Sequence, residues 1–152
     1  MNERNKMVYT NKEIESYILS QGIKNDIEYI IINCRGNHPC CYLGIPIDHP
    51  LTKISYNDIP LICHGGLTYG GIGGYYPKDL LPPEKYWLGW DYGHSGDYDR
   101  YSSQFNSFFA SEKYLPLEGK KWVLSELEDE VWEVSYWLRK LLKLLSKIEE
   151  NK

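Results

Sequence analysis

At 152 residues, with 42% hydrophobic and 25% charged side chains, the chain has the length of one domain and a composition that excludes disordered and fibrous classes. A formal net charge of −4 gives no general attraction for a nucleic-acid backbone, so duplex DNA is not expected as a partner. Aromatic residues make up 14%, with 14 Tyr and 5 Trp against 3 Phe, so most rings carry a polar handle suited to half-buried walls and binding surfaces.

The opening MNERNKMVYT is polar and lacks the apolar stretch of a secretory signal, and residues 1–9 are expected to be flexible. A first helix is expected from Thr10, with Glu13 completing a capping-box pattern, Ile14, Tyr17 and Ile18 forming one apolar face and Gly22 closing it. Ile27 to Cys34 reads as a buried strand ended by the Arg35-Gly36-Asn37 turn. Glu28 and Asn33 interrupt it, and it is far too short to span a bilayer. A second strand covers Cys40 to Ile45, and Pro46 and Pro50 bracket a loop containing His49. A third apolar run covers Leu61 to Tyr69, the glycine-rich 70–74 is expected as a loop, and a fourth strand runs from Tyr86 to Asp91. Residues 92–111 are polar and aperiodic.

From Ser125, with Glu128 as its capping-box partner, to Glu149 there is no Gly or Pro, which predicts one long helix. Leu127, Val131, Val134, Leu138, Leu141, Leu145 and Ile148 follow heptad spacing, and Trp132, Tyr136, Trp137, Leu142 and Leu144 widen that face. The expected fold is therefore α+β: a small antiparallel or mixed sheet with an N-terminal helix and a long C-terminal amphipathic helix packed on it. One domain is expected, with residues 10–119 bearing the site and 120–149 the helix. The wide apolar face suits packing on the sheet, and also pairing with a second copy as a homodimer. Four cysteines in a chain large enough to fold without staples are expected as free thiols in a cytoplasmic setting.

Three segments carry candidate chemistry. In Cys63-His64-Gly65-Gly66-Leu67-Thr68-Tyr69 an imidazole sits beside two residues without Cβ atoms, where backbone can approach a ligand or merely form a bulge around a buried histidine. The stretch from Tyr86 to Asp99 concentrates Trp87, Asp91, His94 and Asp97. With His64, the last three form a ligand set for a hydrolytic divalent metal such as Zn²⁺ or Mn²⁺. Asx-turn chemistry explains the same residues without a function. The third segment, Cys34 to Cys41, is not expected to hold zinc. Cys34-x3-His38-x-Cys40 matches no usual structural zinc spacing, and strand side chains alternate between two faces.

The ordered series His38-Pro-Cys-Cys-Tyr-Leu-Gly, Pro46-x-x-His49-Pro-Leu, His64-Gly-Gly-Leu-Thr-Tyr, Trp87-Leu-Gly-Trp-Asp-Tyr-Gly-His94-Ser-Gly-Asp97 and a closing Glu-rich helix resembles a family of small proteins of tailed bacteriophages and prophages. The likeness covers about residues 34 to 148. The family's second signature reads Trp-x-Gly-Phe-Asp-Cys-Ala-His-x-Gly-Asp, and here Trp90, Tyr92 and Gly93 replace its Phe, Cys and Ala. The resemblance implies a phage protein acting in the host cytoplasm, a setting in which small proteins counter host defence and some capture nucleotide signals.

The leading expectation is a binding protein for a nucleotide-derived small molecule, with His64, Gly65, Gly66, Tyr69, Trp87, Asp91, His94 and Asp97 in the site. Tyrosine and tryptophan faces would hold the base, and Arg35, Lys78, Lys85 or Arg100 the phosphate. The alternatives are a metal-dependent hydrolase using His64, Asp91, His94 and Asp97, and an inhibitor of a host factor docking through the C-terminal helix.

Overall fold

The computed structural model describes residues 15–75, 77, 79–93 and 120–151. Five strands, β1 (Tyr17–Lys24), β2 (Ile27–Cys34), β3 (His38–Pro46), β4 (Tyr69–Ile72) and β5 (Lys85–Asp91), form one sheet in the order β1-β2-β3-β5-β4. Every neighbouring pair is antiparallel. Among the described residues a single long helix, α1 (Leu124–Glu150), packs on one face, so the class is α+β.

β1 occupies the second half of the expected N-terminal helix. Residues 10–14 lie outside the described part, but Tyr17 to Gly22 pair with β2. Asn25 and Asp26, both at positive φ, make a two-residue hairpin turn that fixes this pairing. The i, i+3, i+4 spacing of Ile14, Tyr17 and Ile18 imitated a helix because β1 is an edge strand, largely exposed and without clean alternation.

Alternation divides the sheet residues into two cores. Tyr29, Ile31, Cys41, Leu43, Leu88 and Trp90 face α1, where Leu127, Val131, Val134 and Leu138 are buried against them. The first part of the heptad seam is thus spent on the chain's own sheet. Trp132, Trp137 and Leu144 remain about half exposed on the far side of the helix. The opposite sheet face buries Ile30, Ile32, Cys34, Cys40, Tyr42 and Trp87 with Leu81. Trp87 fits there because Gly44 across the strand pair has no side chain: a Cβ would stand 2.9 Å from its ring carbons.

Two further expectations are corrected. Leu61 to Thr68 is irregular, whereas Gly70 and Gly71 belong to β4 and pair with Leu88 and Trp87. Their entropic cost is met by neighbours that fill the space a side chain would take, with the Tyr86 hydroxyl 2.9 Å from where a Gly70 Cβ would lie. The helix starts at Leu124 with Val123 as its N-cap, so Ser125 is already inside the first turn. Glu126 accepts the Val123 N–H, and Glu128 instead accepts from the Ser20 hydroxyl of β1 at 2.9 Å.

Polar contacts tie α1 to the sheet layer. The Asn25 amide donates to the Trp132 carbonyl and the Ser135 hydroxyl at 2.9 and 3.1 Å. His49 accepts the Leu51 N–H on Nδ1, which leaves Nε2 protonated to donate to the Leu142 carbonyl at 3.0 Å. Among the described residues no helix is long and apolar enough to cross a membrane.

Candidate functional site

The segment that enters α1, Lys120-Lys121-Trp122, places an indole between two recesses. Trp122 meets His64 edge-on at 5.0 Å and Tyr92 at 5.1 Å between ring centres, and the Lys120 ammonium sits 3.9 Å from its ring centre. His64 in turn lies flat on Tyr92 at 4.5 Å, and its backbone N–H donates to Glu130 Oε1.

The first recess, about 440 Å³, opens between the β2–β3 turn and the start of α1. Leu19, Leu124 and Leu127 supply its apolar surface, and Asn33, Asn37, His38, Lys121 and Trp122 its polar and aromatic surface. Asn33 ends the Ile30-Ile31-Ile32 run on the helix side of β2, and Asn37 follows Arg35 and Gly36, whose positive φ values close the hairpin. The side-chain oxygens of both asparagines are buried and have no hydrogen-bond partner among the described residues. Such an acceptor costs about 1–3 kcal/mol to leave unpaired. The terminal torsion of Asn is soft, so either amide can turn toward an occupant.

The second recess, about 580 Å³, lies on the His64 side of Trp122. Glu126, Asp129, Glu130 and Glu133 all line it. Four carboxylates against one imidazole repel an anion, whereas the first recess has Lys121 and, among the described residues, no carboxylate in its lining. Cys63 at the edge of the acidic recess has its thiol pushed up to about 12 by burial and by the Glu130 charge, so it stays neutral near pH 7.

A third grouping occupies the opposite face of the sheet. The hairpin register pairs Cys34 with His38 and Ile32 with Cys40, which brings Cys34, His38 and Cys40 onto one face. One donor atom from each lies within 4.8 Å of the others, and the two sulfurs are 2.7 Å apart. The expectation from alternation was mistaken, because residues two apart on a strand share a face and the hairpin aligns the partner strand with them. Asp91 is the cross-strand neighbour of Cys40. A hydrogen bond with Cys34, burial and the nearby Asp91 charge together hold the Cys40 thiol in its neutral form. The His38 ring packs over Gly93, where a Cβ would come within 2.9 Å of it.

The residues singled out from sequence do not gather in one place. Gly65, at φ +70°, forms the turn in which the Gly66 N–H bonds the Cys63 carbonyl, and no described residue comes within 4 Å of where a Gly66 Cβ would stand. Tyr69 packs edge-on against Tyr42 on the face away from α1. Trp87 is wholly buried there and donates to the Pro82 carbonyl at 2.9 Å, so its ring is core. Asp91 accepts from the Thr68 hydroxyl at 3.1 Å and the Gly93 N–H at 3.0 Å, the latter an Asx-type turn. Asp91 follows the Cys40 face, whereas His64 stacks on Tyr92 in the helix-side core. His94 and Asp97, like Lys78 and Arg100, lie outside the described residues. Lys85 stands 4.0 Å from the Glu28 carboxylate.

Asn33, Asn37, Lys121 and Trp122 were not among the expected site residues. A signal existed for three of them: an Asn at the end of three isoleucines, and a Lys-Lys-Trp run directly ahead of a helix. No protein-family model, curated protein or solved structure matches the chain.

Proposed function

We propose that this protein binds a nucleotide-derived small molecule in the recess between the β2–β3 turn and the start of α1. The observation that carries the reading is the convergence there of Trp122, Lys121 and the two asparagines whose oxygens have no donor among the described residues. An indole offers a face for a base, with stacking worth about 1–3 kcal/mol. Unpaired amide oxygens accept from exocyclic amino groups, and a lysine meets a phosphate. The volume of about 440 Å³ falls in the usual range for a small-molecule site. The acidic recess beyond Trp122 is disfavoured for the same ligand because its carboxylates oppose phosphate. A phage protein in the host cytoplasm that sequesters a defence signal is the role that best unites this reading with the sequence resemblance.

Thermal unfolding tests it with a panel of probes: adenosine and guanosine 5′-monophosphates, their 3′,5′-cyclic forms, cyclic dinucleotides and ADP-ribose. At a ligand concentration 100 times Kd the native state gains about 2.7 kcal/mol. For a chain of this size that is a rise in Tm of roughly 5–10 °C. At least one probe is expected to raise Tm in a concentration-dependent way. A panel without any shift at millimolar concentration contradicts the proposal.

A further inference from the structure

The geometry points to a transition-metal site formed by Cys34, His38 and Cys40 on the β2–β3 hairpin, taking a borderline-soft divalent ion of the Zn²⁺ type. It does not depend on an occupant of the recess described above. Two observations carry it, together with the geometry that zinc requires. The donor atoms of the three residues lie within 4.8 Å of one another. Tetrahedral zinc, with bonds of about 2.0–2.3 Å, needs its nitrogen and sulfur donors roughly 3.3–3.8 Å apart, so only small side-chain rotations are required. All three residues stand on paired, hydrogen-bonded strands joined by a tight turn, so the hairpin holds them in place before any ion arrives.

The donor set selects the metal class. Two thiolates and an imidazole favour zinc and related soft or borderline ions over Mg²⁺ or Ca²⁺, which take oxygen ligands. Coordination replaces each S–H bond with an S–metal bond and releases one proton per thiol to solvent. Both cysteines are buried whereas His38 is half-exposed and also lines the recess, so the imidazole marks the open side of the site. Three protein donors leave a fourth position for solvent. Asp91 is not assigned as a ligand, because its two oxygens are engaged by Thr68 and Gly93, but its negative charge beside Cys40 favours a cation there. The site shares no residue with the metal set His64, Asp91, His94 and Asp97 expected from sequence apart from this supporting role of Asp91.

The test is Co²⁺ titration of the full chain after reduction and removal of metals with a chelator. The expected result is one equivalent bound, with thiolate-to-cobalt charge-transfer and ligand-field absorption that Zn²⁺ abolishes by displacement. Cys34→Ser and Cys40→Ser are each expected to remove the absorption, and His38→Ala to weaken Zn²⁺ binding more than about 100-fold. Cys63→Ser, which alters a thiol on the other side of the sheet, is expected to leave it intact. Because buried cysteine variants can misfold, the wild-type protein decides by itself. A fully reduced wild type that gives no thiolate–cobalt absorption overturns the inference. So does absorption that survives in folded Cys34→Ser. If untreated protein shows two titratable thiols rather than four in denaturant, and the reduced protein takes no metal, the pair is a disulfide and the site assignment is wrong.

Discussion

His49 illustrates how a residue that looks chemical in sequence is used structurally. Its Nδ1 holds the N–H that starts the 50–53 turn, and its Nε2 reaches the carbonyl of Leu142 and, at 3.2 Å, the hydroxyl of Ser146. A loop is thereby clamped onto the middle of α1. His49→Ala removes these bonds at once and leaves a partly buried N–H without its acceptor, a loss of about 1–3 kcal/mol. A fall in Tm of roughly 2–12 °C is expected, at 2–4 °C per kcal/mol for a domain of this size. An unchanged melting curve would mean that the clamp contributes nothing. Cys63 and Trp87 fall in the same group: one is kept neutral by burial and a carboxylate, the other is a core ring, and both sit within motifs that read as functional.

At the scale of elements, the fit of Trp87 over Gly44 ties β3 to β5 and covers the sheet face away from α1. Gly44→Ala places a methyl group 2.9 Å from carbons of the fully buried Trp87 indole, so the ring or the strand must shift. Overpacking of this kind costs typically about 1–3 kcal/mol. A lowered Tm with an altered near-ultraviolet tryptophan signal is expected, and a variant as stable as wild type would show that the ring has slack. β2, β3, β5 and α1 were legible because their residues report burial directly, as β-branched runs or as a heptad seam without Gly or Pro. β1 and β4 were not. The first is an exposed edge strand whose apolar spacing mimics a helix, and the second is half glycine, so its pairing depends on partners distant in sequence.

Across the whole molecule, the candidate site is assembled from the β2–β3 turn and the chain just before α1, some eighty residues apart. Segment-by-segment inspection finds His64 and Asp91 because they sit in conspicuous motifs, yet the sheet sends them to different faces. Asn33 and Lys121 carry only weak local signals in sequence and become informative when packing sets them in one recess. Long-range contact of this sort leaves no local trace. The same holds for Cys34, His38 and Cys40, whose common face follows from hairpin register rather than from their spacing. The distribution of charge completes the account: Trp122 separates a recess containing Lys121 from one lined by four carboxylates, although the chain as a whole is acidic.

The central claim is that a nucleotide occupies the Lys121 side of Trp122. Isothermal titration with the panel member giving the largest thermal shift tests it most directly, on wild type, Lys121→Glu and Glu130→Gln. Lys121→Glu replaces the phosphate partner with a repelling charge, and because Lys121 is exposed this reversal is worth about 1 kcal/mol, a loss of roughly fivefold in affinity. Glu130→Gln keeps the acceptor for the His64 N–H and is expected to leave affinity unchanged. The account predicts weaker binding in the first variant and wild-type binding in the second. Equal affinity in Lys121→Glu and wild type, with a marked change in Glu130→Gln, would place the ligand on the other side of Trp122 and contradict it.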